Sequence, residues 1–174
     1  KKADRVRLVN GQGTEAVKGF EVRVSVTTTD ASAFSTVLTG LALNNANTVQ
    51  EFALPAGTAA SYVQLRVLDN WGSACCVSLR SFEAVSDALG GIPSYAGTSP
   101  SVSSYLDASS RAEAMLDADP ATAWLTAGGA TGQYVELRLE DERNRVRLRE
   151  RRRRERGHAG HQRVDPRERR RLQA

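Results

Sequence analysis

Alternation of apolar and polar residues runs through the first 86 residues and constrains the fold more than any other feature. Four segments carry this pattern, with β-branched or aromatic residues on one side of each: Arg5–Leu8, Phe20–Val26, Glu51–Leu54 and Tyr62–Val67. A period of two residues places successive side chains on opposite faces of a strand. The pattern therefore predicts half-buried β-strands and no long amphipathic helix in this half of the chain.

Turn-forming residues separate these segments. The turn signals are Asn10-Gly11-Gln12-Gly13, Thr29-Asp30, Asn44-Asn45 and Pro55-Ala56-Gly57. Short strands separated by such turns are typical of two antiparallel sheets packed face to face. The predicted fold class is therefore all-β, an antiparallel β-sandwich.

Composition divides the chain into four predicted regions. The strand-rich region covers residues 1–86, and residues 87–110 are rich in Ser, Gly and Pro, which is typical of a linker. Residues 111–149 return to strand alternation at Tyr134–Leu139. Residues 150–174 form an arginine-rich tail.

Charge is distributed unevenly between the body of the chain and its tail. Residues 141–174 contain 14 arginines and six acidic residues, whereas residues 1–140 contain 10 basic and 14 acidic residues. The body is mildly acidic, which argues against a nucleic-acid-binding face on the fold itself. Nucleic acid or another polyanion is therefore predicted as a partner only through the tail.

The tail has three interpretations. Glu150 and Arg154 stand four residues apart, as in a solvated helix. The same composition fits a disordered basic arm. The third interpretation is a shifted reading frame after Leu148, because GC-rich coding text read out of frame is arginine-rich.

Several short motifs resemble the discoidin, or coagulation-factor type-C, modules, which are galactose-binding-like jelly rolls related to family 32 carbohydrate-binding modules. A D-N-x-G-like corner at Asp69–Gly72 precedes a strand of the s-L-x-E-F type at Ser78–Glu83. Asp117–Trp124 is similar to the D-G-D-x-x-T-x-W block of that family. The family's next two strands correspond to Tyr134–Leu139 and Arg143–Leu148.

The order of these motifs implies that the chain spans parts of two tandem modules. Residues 1–86 resemble the C-terminal part of one module, and residues 111–149 resemble the N-terminal part of the next. Open sheet edges favour pairing, and the intervening linker is long enough to allow it. We hypothesise that the second part folds back to complete the first sandwich, or does so between two molecules as a swapped dimer.

The resemblance also implies a structural Ca²⁺ site. Its ligands would be Asp117, Asp119 and Thr122, with Glu83 from the last strand. Carboxylates, hydroxyls and carbonyls are the hard oxygen ligands that Ca²⁺ prefers. Ala118 stands where the family has glycine. The alternative is a capped turn formed by Asp and Thr before a strand.

The corner after Tyr62–Val67 is the candidate ligand site. Trp71, together with Asn70 and Asp69, offers an aromatic face for a sugar ring and polar groups for its hydroxyls. The alternative is a structural corner in which Trp71 covers the end of the sandwich. Trp124 is predicted to lie in the core instead, as in the related modules.

Adjacent cysteines follow Trp71. Cys75 and Cys76 lack a second cysteine pair and a nearby histidine, which excludes the usual zinc sites. A bond between neighbouring residues is strained, so free thiols are expected, one facing inward and the other outward. The alternative is a vicinal disulfide between the two.

Catalytic motifs are missing from the sequence. There is no G-x-S-x-G or phosphate-binding loop, and His158 and His161 both lie in the tail. No apolar run approaches the length of a membrane span. We therefore predict a non-enzymatic module of a larger extracellular or cell-surface protein that binds a glycan or another cell-surface ligand beside neighbouring domains. The alternatives are a spacer module without a ligand site and non-specific polyanion binding through the tail.

Overall fold

Ten β-strands form two sheets in the computed structural model, which describes residues 1–87, 92–93, 100–117, 119 and 121–139. The strands are β1 (Arg5–Asn10), β2 (Gly19–Ser25), β3 (Ser35–Leu41), β4 (Val49–Ala53), β5 (Tyr62–Val67), β6 (Ser78–Ser86), β7 (Ile92–Pro93), β8 (Ser101–Val102), β9 (Trp124–Leu125) and β10 (Tyr134–Arg138). The first sheet has the order β4-β1-β6-β7, with β9 also paired to β6. The second has the order β3-β2-β5-β10-β8. Every strand pairing is antiparallel.

The sandwich confirms the predicted fold class. Apolar side chains that alternate along the strands meet between the two sheets, and Phe20, Leu65 and Phe82 are among those fully buried there. Helical structure in the described residues consists of 3₁₀ turns of three or four residues. None of it has the length and apolar character needed to cross a bilayer. The predicted helical or disordered tail, 150–174, lies outside the described residues.

Residues 100–139 fold back into the sandwich of the same chain. Strand β10 pairs with β5 along five residues, from Tyr134 opposite Arg66 to Arg138 opposite Tyr62. Strand β9 pairs with β6 in the other sheet. The compact unit accordingly extends from Lys1 to Glu140. This arrangement agrees with the fold-back hypothesis, whereas the origin of the two parts in tandem modules remains a prediction.

Two short strands occur within the region predicted as a linker. Ile92–Pro93 pairs with the end of β6, and Ser101–Val102 pairs with β10. Ile92–Pro93 extends the first sheet, and Ser101–Val102 extends the second sheet. Part of the predicted linker therefore belongs to the two sheets. Residues 88–91 and 94–99 of the predicted linker lie outside the described residues.

Trp124 lies in the core, as predicted. Its side chain is fully buried, and its indole Nε1 donates a hydrogen bond to the carbonyl oxygen of Ser104 at 2.8 Å. The 3₁₀ turn at Ala112–Met115 places Ala112 and Met115 in the same core cluster. The fold-back segment therefore supplies apolar side chains as well as backbone pairing.

A buried carboxylate lies on the outer face of the second sheet. Glu136 stands opposite Gln64, whose Nε2 lies 3.5 Å from its Oε2. Gln64 in turn accepts a hydrogen bond from Arg23 Nη1 at 3.2 Å. Burial raises the pKa of Glu136 above its usual 4.5, and the hydrogen bond from Gln64 offsets part of that rise.

We expect Glu136→Gln to stabilise the fold at neutral pH. The pKa of Glu136 is higher in the folded chain than in the unfolded chain, so protonation of its carboxyl stabilises the folded state. That stabilisation is lost as the pH rises through the folded-state pKa. The neutral amide removes the cost of burying a charge at every pH. Urea unfolding at pH 7 and near pH 4.5 should show a gain that shrinks at the lower pH. A gain in stability that grows on acidification would contradict the raised pKa of Glu136.

Candidate functional site

The corner between β5 and β6 presents Trp71 at the surface. Trp71 is 41% exposed, and its backbone N–H donates to the carbonyl of Ala16 at 3.2 Å. The next residue, Gly72, has a φ of +111°, which residues with a Cβ rarely adopt. This glycine lets the chain turn sharply directly after the exposed indole.

Asn70 holds this corner together. Its side chain is buried, and Nδ2 donates to the carbonyl oxygens of Ser73 at 2.9 Å and Cys76 at 3.0 Å. Its Oδ1 accepts the backbone N–H of Gly72 at 2.9 Å. These contacts occupy both ends of the amide, so Asn70 shapes the turn and does not present polar atoms to a ligand.

We expect Asn70→Ala to lower the free energy of unfolding by about 2 kcal/mol, since it leaves two carbonyls and one N–H without their partner. Asn70→Asp retains the acceptor for Gly72 but sets a buried carboxylate against the carbonyls of Ser73 and Cys76, so it should lower the stability at least as much. Thermal unfolding of both variants measures the effect. Stability equal to that of the wild type in Asn70→Ala would show that the corner does not depend on this amide.

Lys18 lies beside Trp71 and is ion-paired with Asp69. The Lys18 ammonium lies 5.6 Å from the centre of the Trp71 ring, and it also lies 3.3 Å from Asp69 Oδ2. Backbone hydrogen bonds from the N–H groups of Lys18 and Gly19 to the carbonyl of Asp69 tie the start of β2 to the corner. The surface thus combines an aromatic face, a cation and a carboxylate, and we call Lys18, Asp69 and Trp71 the Trp71 cluster.

Lys18 was not predicted as a member of this site. It lies far from Trp71 in the sequence and reaches it only because β2 pairs with β5. No local motif around Lys18 marks this contact. The cluster therefore follows from sheet topology, which the strand pattern alone does not specify.

The two cysteines are joined by a disulfide, so the expectation of free thiols is wrong in this structure. Cys76 is buried and Cys75 is exposed, as expected, although both precede β6 and neither lies in a strand. The hydroxyl of Ser73 accepts the backbone N–H groups of both cysteines at 3.2 Å. The pair thus belongs to the same hydrogen-bonded corner as Asn70.

Oxygen atoms crowd around the Thr122 hydroxyl. Its Oγ1 lies 2.9 and 2.8 Å from the two carboxylate oxygens of Asp117, 3.0 Å from the carbonyl of Asp119 and 3.2 Å from that of Ala114. A hydroxyl has one hydrogen to donate, so most of these close pairs of oxygens have no hydrogen between them. Such a group of hard oxygens fits a cation of the Ca²⁺ type.

The same residues also form the predicted capped turn. Asp117 Oδ1 accepts the N–H of Asp119, and Asp119 Oδ1 accepts the N–H of Ala121, both at 2.8 Å. These are the side-chain-to-backbone contacts of Asx turns. Ala118, at the position of the family glycine, lies outside the described residues.

Glu83 lies apart from these oxygens. It stands opposite Arg7 on the outer face of the first sheet, where Arg7 also pairs with Glu51. Burial raises the pKa of Glu83 above 4.5, and the nearby Arg7 guanidinium lowers it in part. Asp117 and Thr122 line a different surface depression from Glu83. The structure therefore brings together Asp117, Asp119 and Thr122 but not Glu83.

Within the part of the chain that the structure describes, no group of three or more His, Cys, Asp or Glu side chains could hold a metal ion. A cation at Thr122 would thus depend on carbonyl and hydroxyl oxygens together with one or two carboxylates. The prediction of a non-enzymatic module rests on the catalytic motifs that the sequence lacks. Both histidines lie outside the described residues.

Comparison with protein families gives a match to part of the chain. Residues 4–82 match the family model described as Sad1 / UNC-like C-terminal, a range that includes β1 to β5 and the first half of β6. Neither the curated proteins nor the solved structures give a match. The specific discoidin assignment remains a prediction. Residues 4–82 are similar to the Sad1/UNC-like C-terminal domain, a galactose-binding-like jelly roll related to the discoidin-type domains.

Proposed function

We propose that this jelly roll is a non-catalytic module that binds a glycan at the Trp71 cluster. The observation that carries the proposal is the half-exposed indole of Trp71 beside the Lys18 ammonium, which is itself ion-paired with Asp69, on a corner that the buried amide of Asn70 holds in place. A preformed corner reduces the entropy that binding has to overcome. Loops on a rigid sheet are also where binding residues concentrate.

The chemistry of the cluster suits a sugar ring. The Lys18 ammonium lies over one side of the Trp71 ring, and the exposed remainder of the indole can stack on the apolar C–H face of a pyranose. Asp69 Oδ2 can accept hydrogen bonds from ring hydroxyls, and the ammonium can donate to them. Asn70 is removed from the predicted ligand set because its amide is occupied.

A glycan array with the full chain tests this proposal, followed by titration calorimetry on any sugar that binds. Trp71→Ala should weaken binding by about tenfold or more, because a buried aromatic contributes about 1.5–3 kcal/mol. Leu106→Ala is the matched control, since Leu106 is an exposed apolar residue outside the cluster. Unchanged binding in Trp71→Ala would refute the site, and an array without any bound glycan would favour the spacer alternative.

We further propose a structural Ca²⁺ at the oxygen group around Thr122. Asp117, Thr122 and the carbonyls of Ala114 and Asp119 would hold it, and its charge would fix the turn that leads into β9. Added Ca²⁺ should raise the unfolding temperature, and a chelator should reverse the rise. Asp117→Ala and Thr122→Val should abolish the shift, whereas Glu83→Gln should leave it intact. A Ca²⁺-dependent shift that persists in Asp117→Ala would contradict this site.

The proposed setting is a larger extracellular or cell-surface protein in which other domains adjoin this module. Polyanion binding through the tail is the other candidate partner class, and the tail lies outside the described residues. It predicts steep salt dependence and complete loss of binding in a chain that ends at residue 148.

A further inference from the structure

Exposed apolar side chains are concentrated beside the Trp71 cluster. The described part of the chain has eight large apolar residues that are exposed, and four of them lie on the two segments that flank residues 17–19: Leu41, Leu43, Leu68 and Trp71. The N–H of Ala42 donates to the carbonyl of Lys18 at 2.8 Å, and the N–H of Gly19 donates to the carbonyl of Asp69 at 3.2 Å. An apolar surface therefore adjoins the proposed glycan site.

Gly19 leaves a groove between two of these leucines. It stands opposite Leu41 in the pairing of β2 with β3, and its carbonyl accepts the N–H of Leu68 at 2.8 Å. The next residue, Phe20, is buried in the core, so Gly19 faces the outer side of the sheet. Adjacent strands are about 4.8 Å apart, which places the backbones at Leu41 and Leu68 about 10 Å apart. Glycine has no side chain to fill this space, and we call Gly19, Leu41 and Leu68 the Gly19 groove.

Ion pairs lie at both ends of the groove. At one end Lys18 is paired with Asp69 beside Trp71. At the other end Glu21, the next outward residue of β2, lies 3.2 Å from Arg66 Nη1. Two residues of a strand span about 7 Å, so the apolar part of the groove is short. Each of these cations faces a carboxylate, and the groove therefore has no net charge with which to attract an anionic membrane or nucleic acid.

The backbone at the floor of the groove is already paired. The N–H of Gly19 donates to the carbonyl of Asp69, and the carbonyl of Gly19 accepts the N–H groups of Leu68 and Asp69. A peptide strand laid over this floor would find no free backbone partner there. The groove thus offers apolar side-chain contact alone, which suits a small uncharged group.

We propose that the ligand of the Trp71 cluster is a neutral glycoside whose short alkyl group lies in the Gly19 groove. This inference rests on the proposed glycan site, because the sugar ring would stack on Trp71 while its alkyl group extends towards Leu68. The groove directly adjoins the cluster, since a Cβ on Gly19 would lie 3.4 Å from the Cβ of Asp69. Such a ligand would remove Leu41 and Leu68 from water, and this burial favours binding.

Titration calorimetry of the full chain with the methyl, butyl and octyl β-pyranosides of glucose, galactose and mannose tests the proposal. For a sugar that binds, the butyl glycoside should bind about tenfold more tightly than the methyl glycoside, because its additional CH₂ groups leave water. The octyl glycoside, measured below its micelle concentration, should gain little more. Its longer chain would run over the ion pair of Glu21 and Arg66.

Leu68→Ser and Gly19→Ala remove the gain in opposite ways. Leu68→Ser deletes an apolar wall of the groove, and Leu68 is 42% exposed. Gly19→Ala adds a methyl group to the floor at 3.6 Å from the Cβ of Leu68, an ordinary contact that the fold accepts. In both variants the butyl glycoside should bind no more tightly than the methyl glycoside, which keeps its affinity. Val26→Ser is the matched control, because Val26 is exposed and lies outside the groove.

The outcomes separate this inference from the glycan site itself. Binding of a methyl glycoside without a tighter butyl glycoside overturns the groove alone, as does a gain that persists in both groove variants. Binding of the butyl glycoside that Trp71→Ala leaves unchanged overturns the link between the groove and the cluster. If none of these pyranosides binds, the glycan site and the groove proposal both fail. Co-sedimentation of the chain with phosphatidylcholine or phosphatidylserine vesicles, lost in Leu68→Ser, would assign the leucines to a membrane surface and contradict the proposal.

Discussion

Trp124→Ala is expected to lower the free energy of unfolding by about 3–5 kcal/mol. Trp124 is the largest fully buried side chain, and its truncation would leave a cavity between the two sheets. The change also removes the hydrogen bond that Nε1 donates to the Ser104 carbonyl. Because Trp124 begins β9, which pairs with Leu79 of β6, the cavity would lie where the fold-back segment meets the first sheet.

Trp124→Phe separates the two contributions. Phenylalanine retains most of the apolar contact and loses the donor, so it should cost less, about 1–3 kcal/mol. Urea unfolding followed by far-ultraviolet circular dichroism measures both variants. A loss below about 1 kcal/mol in Trp124→Ala would mean that this side chain is not packed as described.

A chain that ends at residue 87 is expected to lose cooperative folding altogether. Removing the segment that follows deletes β10, which pairs along five residues of β5, and leaves that side of β5 open. It also deletes Trp124, Val135 and Leu137 from the core cluster. The net stability of a domain is only about 5–15 kcal/mol. The stabilisation lost with these buried side chains is therefore more than the remaining residues can offset.

Strands in which apolar and polar residues alternate strictly could be predicted from the sequence. The segments at Arg5–Leu8 and Tyr62–Val67 correspond to β1 and β5, and Tyr134–Leu139 corresponds to β10. In each of them one face packs on the core and the other does not, so the period of two is visible in the residues themselves. The buried position of Trp124 followed from the resemblance to the related modules and from the apolar residues beside it.

Strand β3 escaped prediction for a physical reason. A bulge shifts its register against β2 between Val22 and Arg23. Val37 and Leu38, although adjacent, are therefore both partly buried against the core. Two neighbouring apolar residues break the alternation, and the exposed edge places Leu41 in solvent. The strand pattern thus fails at the place where the sheet is irregular.

The candidate site could be predicted only where its residues are local in sequence. Asp69 and Trp71 are two residues apart, whereas Lys18 joins them through strand pairing. Glu83 was assigned to the Ca²⁺ site by resemblance, but Phe82 and Ala84 face the core, which directs Glu83 to the outer face of the sheet. Sequence pattern therefore identifies the corner, and topology decides which distant side chains reach it.

Urea unfolding of the full chain, of residues 1–139 and of residues 1–87 tests most directly whether residues 100–139 complete the sandwich. Pairing of β10 with β5 and of β9 with β6 predicts one cooperative transition for residues 1–139, and no cooperative transition for residues 1–87. A transition of residues 1–87 with the midpoint of the full chain would contradict it.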